Sequence, residues 1–150
     1  MDKKTKYILH WIGQLSKIRP ELGNFAICPY ASNANFKILD EKLCKIVPKP
    51  DFDVVIYVVE DNIDAEFLYN AVDDYNQNYP DYKFIADHGK TKTYIQNIQT
   101  SNGKYNLVLC QPKKKLTEAR KKLAKTNYYE YWDESYLKEV LEDDFSEVIE

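Results

Sequence analysis

Cys28 follows a short apolar stretch, Phe25-Ala26-Ile27, and precedes Pro29. Proline favours the first turn of a helix, so this order predicts a cysteine opening a one- or two-turn helix over residues 29–35. Unpaired backbone amides and the positive end of the helix dipole there favour a thiolate over a thiol. Cys28 is therefore a candidate nucleophile, redox sulfur or metal ligand, weighed against a plain buried cysteine acting as a small apolar residue. Cys44 and Cys110 fall inside apolar strand patterns and read as core. Three cysteines at long separations indicate neither a disulfide framework nor a paired-cysteine zinc site, and reduced thiols are expected.

A second constellation depends on strand ends. Glu60 and Asp61 leave one predicted strand, and Asp87 and His88 leave the next. If those strands are parallel, all four residues gather at the carboxyl edge of the sheet, where α/β ligand sites form. His88 is then a candidate general base, with Asp87 as an acid–base or orienting partner, and it pairs with Cys28 if that loop folds over the same edge. Against this, His-Gly after a strand is a common turn and acidic strand ends are commonly solvated. No multi-histidine metal cluster is indicated, because only His10 and His88 are present. No glycine-rich phosphate loop or nucleophile-elbow serine occurs, and the sequence leaves cofactor use open.

The elements that must position these residues can be read from periodicity. Residues 5–18 carry Ile8, Trp11, Ile12, Leu15 and Ile18 at helical spacing, with Thr5 as the cap and Pro20 and Gly23 ending the helix. Lys37 to Leu39 and Leu43 to Val47 read as a hairpin around Asp40-Glu41. Residues 53–60 are continuously apolar and β-branched between their acidic ends, as in a central strand buried on both faces. A helix over 64–77 with Leu68, Ala71, Val72 and Tyr75 inward, then a strand over 82–86, complete a βαβ unit with parallel strands. Thr93 to Ile98 and Tyr105 to Cys110 form a hairpin across Ser101-Asn102-Gly103. Helices over 113–125 and 133–143 follow, joined by the aromatic-rich segment 128–132. The expectation is one α+β or α/β domain over 1–150: a two-layer sandwich with a mixed sheet of four to six strands, a central βαβ unit and a C-terminal helical hairpin.

At 150 residues, 44% hydrophobic and 30% charged, the chain has the composition of a folded protein. The longest apolar run, Val54 to Val59, is far short of a bilayer span, and no signal-peptide core follows Asp2, Lys3 and Lys4; a soluble, cytoplasmic protein without a membrane partner is expected. The net charge of −3 hides a basic block at 111–125 followed by an acidic one at 126–150. Lys114 and Lys121 in the basic block, with Tyr128 and Trp132 beside it, are candidates for binding single-stranded nucleic acid or a protein. Pairing of the basic helix with the acidic one that follows is favoured over nucleic acid, and only Arg19 and Arg120 are available for bidentate phosphate contacts.

Cys28-Pro29-Tyr30-Ala31 resembles the Cys-Pro-Phe-Ala signature of a small uncharacterised bacterial and phage family. There too the signature follows a Trp-containing helix, and a buried strand, a helix and a strand ending near a histidine come after it. Val54 to Val59, residues 64–77 and Lys83 to His88 are similar to that succession, over roughly residues 7–95. The closing Asn-Arg-Ser-Pro-like segment of the family has no counterpart here. The same tetrapeptide is similar to a glutaredoxin active site with its second cysteine replaced by Ala31, but no Thr-Val-Pro-like turn precedes residues 105–110. The leading expectation is a thiol-site enzyme or a redox or metal-binding protein using Cys28, His88 and Asp87. The alternative is an interaction module using residues 113–132.

Overall fold

The computed structural model describes residues 2–28, 34–95, 97–126 and 128–131. Its elements are α1 (Lys3–Leu15), β1 (Phe36–Asp40), β2 (Val54–Val58), α2 (Ala65–Asn78), β3 (Tyr82–Asp87), β4 (Tyr94–Ile95), β5 (Ile98–Gln99), β6 (Leu107–Pro112) and α3 (Lys113–Ala124). Single 3-10 turns lie at Pro20–Leu22, Leu43–Lys45 and Tyr128–Tyr131. Four strands form a mixed sheet in the order β1-β2-β6-β3, and β4 and β5 pair separately. The α+β architecture follows.

The strand run at Val54 to Val58 is central, as its uninterrupted apolar character requires. It pairs parallel with β1 (Ile38 opposite Ile56) and antiparallel with β6 (Tyr57 opposite Val108). β3 is also antiparallel to β6, with Phe84 opposite Cys110 and Asp87 opposite Leu107. β2 and β3 are therefore parallel, as the βαβ reading requires, but β6 lies between them.

Three local expectations are corrected. Leu43–Lys45 is a 3-10 turn, so residues 37–47 form no hairpin; Phe36–Asp40 instead runs alongside β2, where Phe36 to Asp40 can share its ladder. This leaves Cys44 exposed rather than in the core. Residues 107–112 join the main sheet instead of folding back on 93–98, because the central position between β2 and β3 buries Leu107, Val108 and Cys110 from both sides. α1 is capped by Asp2, whose carboxylate accepts from the Thr5 amide at 2.7 Å, and it ends at Leu15, leaving Ile18 exposed.

Side-chain alternation divides the sheet into two apolar faces. The first carries Val55, Tyr57, Phe84, Val108 and Cys110 and packs against Leu68 and Val72 of α2 and against Leu43 and Ile46. The second carries Ile56, Val58 and Leu107 and packs against Ile8, Trp11 and Ile12 of α1. Helices therefore cover both faces, a layer more than the two-layer sandwich expected. Asn76 closes the outer edge of β3: its side-chain amide donates to the Phe84 carbonyl at 3.0 Å and accepts from the Phe84 amide at 2.7 Å. A side chain thus takes the place of a further strand and blunts an edge that would otherwise invite pairing. The second helix of the expected C-terminal hairpin, 133–143, lies outside the described residues. No helix among the described residues is long and apolar enough to cross a membrane.

Candidate functional site: an apolar cleft with a buried carboxylate

α1 covers only part of the second sheet face. Beside it a cavity of about 770 Å³ opens between that face, α1 and α3, and its lining also takes in Tyr69, Val72, Asp73 and Asn76 of α2 and Phe84. Its floor is Val54, Ile56, Ile85 and Leu109; Trp11, Ile12 and Leu15 form one wall and Leu116, Ala119 and Leu123 the other. The apolar stripe of α3, narrow in the sequence, faces this space. At the carboxyl end of β3 the lining turns polar, with Asp87, Thr91, Thr93, Thr100 and Ser101.

Asp87 is the chemically distinctive group. Its Oδ2 accepts from the Asn102 amide at 3.0 Å and from the Asn102 side-chain Nδ2 at 2.8 Å. Oδ1 accepts from no hydrogen-bond donor among the described residues. Burial pushes the Asp87 carboxyl up to about 6, outweighing the Asn102 hydrogen bonds, which pull it down. A carboxylate kept in an apolar cavity against its desolvation cost is a mark of a functional site.

Two asparagines hold this corner. Asn102, 4% exposed, donates to Asp87 and to the Tyr105 carbonyl, and its Oδ1 accepts from the Lys104 and Tyr105 amides. Asn106 spans the ends of β2 and β3, donating to the Glu60 carbonyl at 2.9 Å and accepting from the Gly89 amide at 2.9 Å. Gly89 lies so close to the following loop that a Cβ there would meet the Lys104 carbonyl oxygen at 2.5 Å. Neither asparagine carries a sequence signal for these roles. Asn102 stood in an expected hairpin turn, and only its distance from Asp87 in space reveals its use.

The residues singled out from sequence separate in the structure. Cys28 and Asp87 both line the cavity. His88 does not: as the next residue beyond Asp87 it points away, 6% exposed. Its Nδ1 accepts from the Lys90 amide at 3.2 Å, so Nε2 carries the proton donated to the Ile63 carbonyl at 2.6 Å. Both ring nitrogens are occupied, leaving none for Cys28. The Cys28 amide donates to the Leu15 carbonyl at 2.8 Å, and Pro29 to Ala31 of the resembling tetrapeptide lie outside the described residues. Cys28 opens on the cavity, so solvent reaches it. Protein packed around its sulfur nevertheless removes enough water to push the thiol up to about 11, against a downward pull from the Arg120 charge. At neutral pH it is a thiol.

Glu60 and Asp61 sit at the expected edge but outside the cavity. Glu60 Oε1 accepts from the Leu43 amide at 2.8 Å, and Asp61 is exposed. Lys114 and Lys121 are exposed on α3. Tyr128 is 3% exposed with its hydroxyl on the Ile27 carbonyl, so its ring is not presented for stacking on a base. This corrects the aromatic half of the interaction-module expectation for that residue; Trp132 lies outside the described residues. No group of His, Cys, Asp and Glu among the described residues could hold a metal ion.

No protein-family model, curated protein or solved structure matches this chain.

Proposed function

We propose that this protein binds a small, mainly apolar molecule in the cleft between α1, α3 and the second sheet face. The observation that carries the reading is a cavity of about 770 Å³ whose apolar lining contains an inward carboxylate clamped by Asn102. Pockets for small ligands have this size and this makeup, a largely apolar wall with a few placed polar groups. A neutral environment-sensitive dye, N-phenyl-1-naphthylamine, should bind saturably with one site. Ala119→Trp fills the cavity from the α3 wall and should weaken that binding at least tenfold while the thermal transition persists. Absence of saturable binding, or binding indifferent to Ala119→Trp in a folded variant, defeats the reading.

A second reading is thiol chemistry at Cys28, and its support is that Cys28 and Asp87 share the cavity. An ionised Asp87 would there act as the base for a thiol whose own surroundings keep it protonated. Iodoacetamide alkylation of Cys28 followed from pH 5 to 8 tests it. A rate that rises with Asp87 ionisation and falls in Asp87→Asn supports the pair. A rate climbing only toward the thiol's raised range removes it.

A further inference from the structure

We infer that the cleft selects an amphipathic amine: a protonated head lies at Asp87 and an apolar body runs along the second sheet face between α1 and α3. This rests on the binding reading above and names its ligand class. Asp87 stands opposite Leu107 at the carboxyl end of β3, and Asp53 immediately precedes the parallel strand β2. These two carboxylates therefore mark opposite ends of the cleft, separated by about five residues of strand, roughly 17 Å, while the third carboxylate of the lining, Asp73, comes from α2. Between them the floor is Ile85, Leu109, Ile56 and Val54. An elongated, apolar body fits that interval.

The charges at the two ends differ in availability. Asp53 is already paired, accepting from Lys115 Nζ at 3.0 Å and from the Asn35 amide at 2.9 Å. Lys115 is thereby engaged, and Arg120, the other cation in the lining, has an interaction of its own. Of the hydroxyls near Asp87, Thr93 Oγ1 and Thr100 Oγ1 pair with each other at 2.5 Å, and Ser101 Oγ accepts from the Thr93 amide. Asp87 Oδ1 remains as the acceptor, on a carboxylate whose other oxygen is already fixed by two donors. An incoming ammonium meets a pre-oriented anion in an apolar cleft, where a charge-assisted hydrogen bond is at its strongest. A carboxylate head would instead meet a like charge.

Isothermal titration of the full chain with n-octylamine, 1-octanol and octanoate at pH 7.5 separates these possibilities, since the three share a chain and differ in the head. Octylamine should bind at least tenfold more tightly than the other two. In Asp87→Asn, which keeps an oxygen for the Asn102 donors but presents a neutral amide to the cleft, the amine should fall to the level of the alcohol, with the alcohol unchanged. Equal binding of amine and alcohol to the wild-type protein overturns the inference while leaving a cleft that binds apolar molecules. Tightest binding of octanoate overturns it in favour of Arg120 as the anchor. Failure of all three, together with failure of the naphthylamine dye, removes the binding reading itself. The wild-type series decides the matter even if Asp87→Asn does not fold.

Discussion

Asn102→Ala should destabilise the protein by at least about 3 kcal/mol and lower the midpoint of urea unfolding without changing its slope. Each buried donor or acceptor left without a partner costs on the order of 1–3 kcal/mol. This substitution strips partners from several groups at once. The Lys104 and Tyr105 amides lose their shared acceptor at 3.0 and 2.6 Å, the Tyr105 carbonyl loses a donor, and Asp87 Oδ2 loses its side-chain donor. The loss should be smaller at pH 5 than at pH 7.5, because a protonated Asp87 no longer needs that donor. A variant with an unchanged midpoint would show that the turn is not the clamp described above. The same substitution should also weaken ligand binding, since the orientation of Asp87 depends on the turn.

Asp87 should make the protein less stable as pH rises from about 4 to about 6. Its folded-state value, about 6, lies above the ordinary carboxylate range. Between those limits the folded chain holds a proton that the unfolded chain has released. Stability is therefore greatest below the unfolded value, declines through the window, and stays at the lower level above it. With about 1.4 kcal/mol for each unit of pKa difference, the decline amounts to roughly 2–3 kcal/mol. Asp87→Asn should remove it, so that the difference between wild-type and variant unfolding free energies slopes across pH 4–6 and levels off above. At pH 7.5 the variant should be the more stable protein, having lost a desolvated charge. Parallel stability curves for the two proteins would show that Asp87 is not held away from water. Gaining stability while losing affinity for an amine is the trade expected of a site maintained for binding rather than for folding.

These two experiments turn on residues of which the sequence singled out only one. The strand at Val54 to Val58 was legible because its apolar, β-branched run has no exposed face to signal, and that is true only of a central strand. The helices at Lys3–Leu15 and Ala65–Asn78 were legible because an amphipathic stripe at 3.6-residue spacing is a local property of the chain. Asp87 was found from its place at the end of a strand. Its partner was not. The spacing of His88 beside Asp87 suggested a catalytic pair, yet alternation along a strand turns consecutive side chains to opposite faces, and His88 went to the Ile63 carbonyl. Cys28 was expected to be ionised by a helix start; the protein around its sulfur acts in the other direction.

By itself, then, the amino-acid order determined the identity of the main helices, the central strand and the parallel relation of β2 and β3, all of which rest on periodicity within a few turns or residues. Tertiary structure decided where residues 107–112 insert, which face of the sheet stays partly uncovered, and that Asn102 closes on Asp87 across 15 positions of chain. Insertion of β6 between β2 and β3 depends on hydrogen-bond ladders formed with strands distant in sequence, and no local pattern records which partners will be free. The partly uncovered face has the same origin: the cavity lies where α1 and α3 both border the sheet, so the boundary between core and cleft is fixed by packing among elements rather than by any one of them.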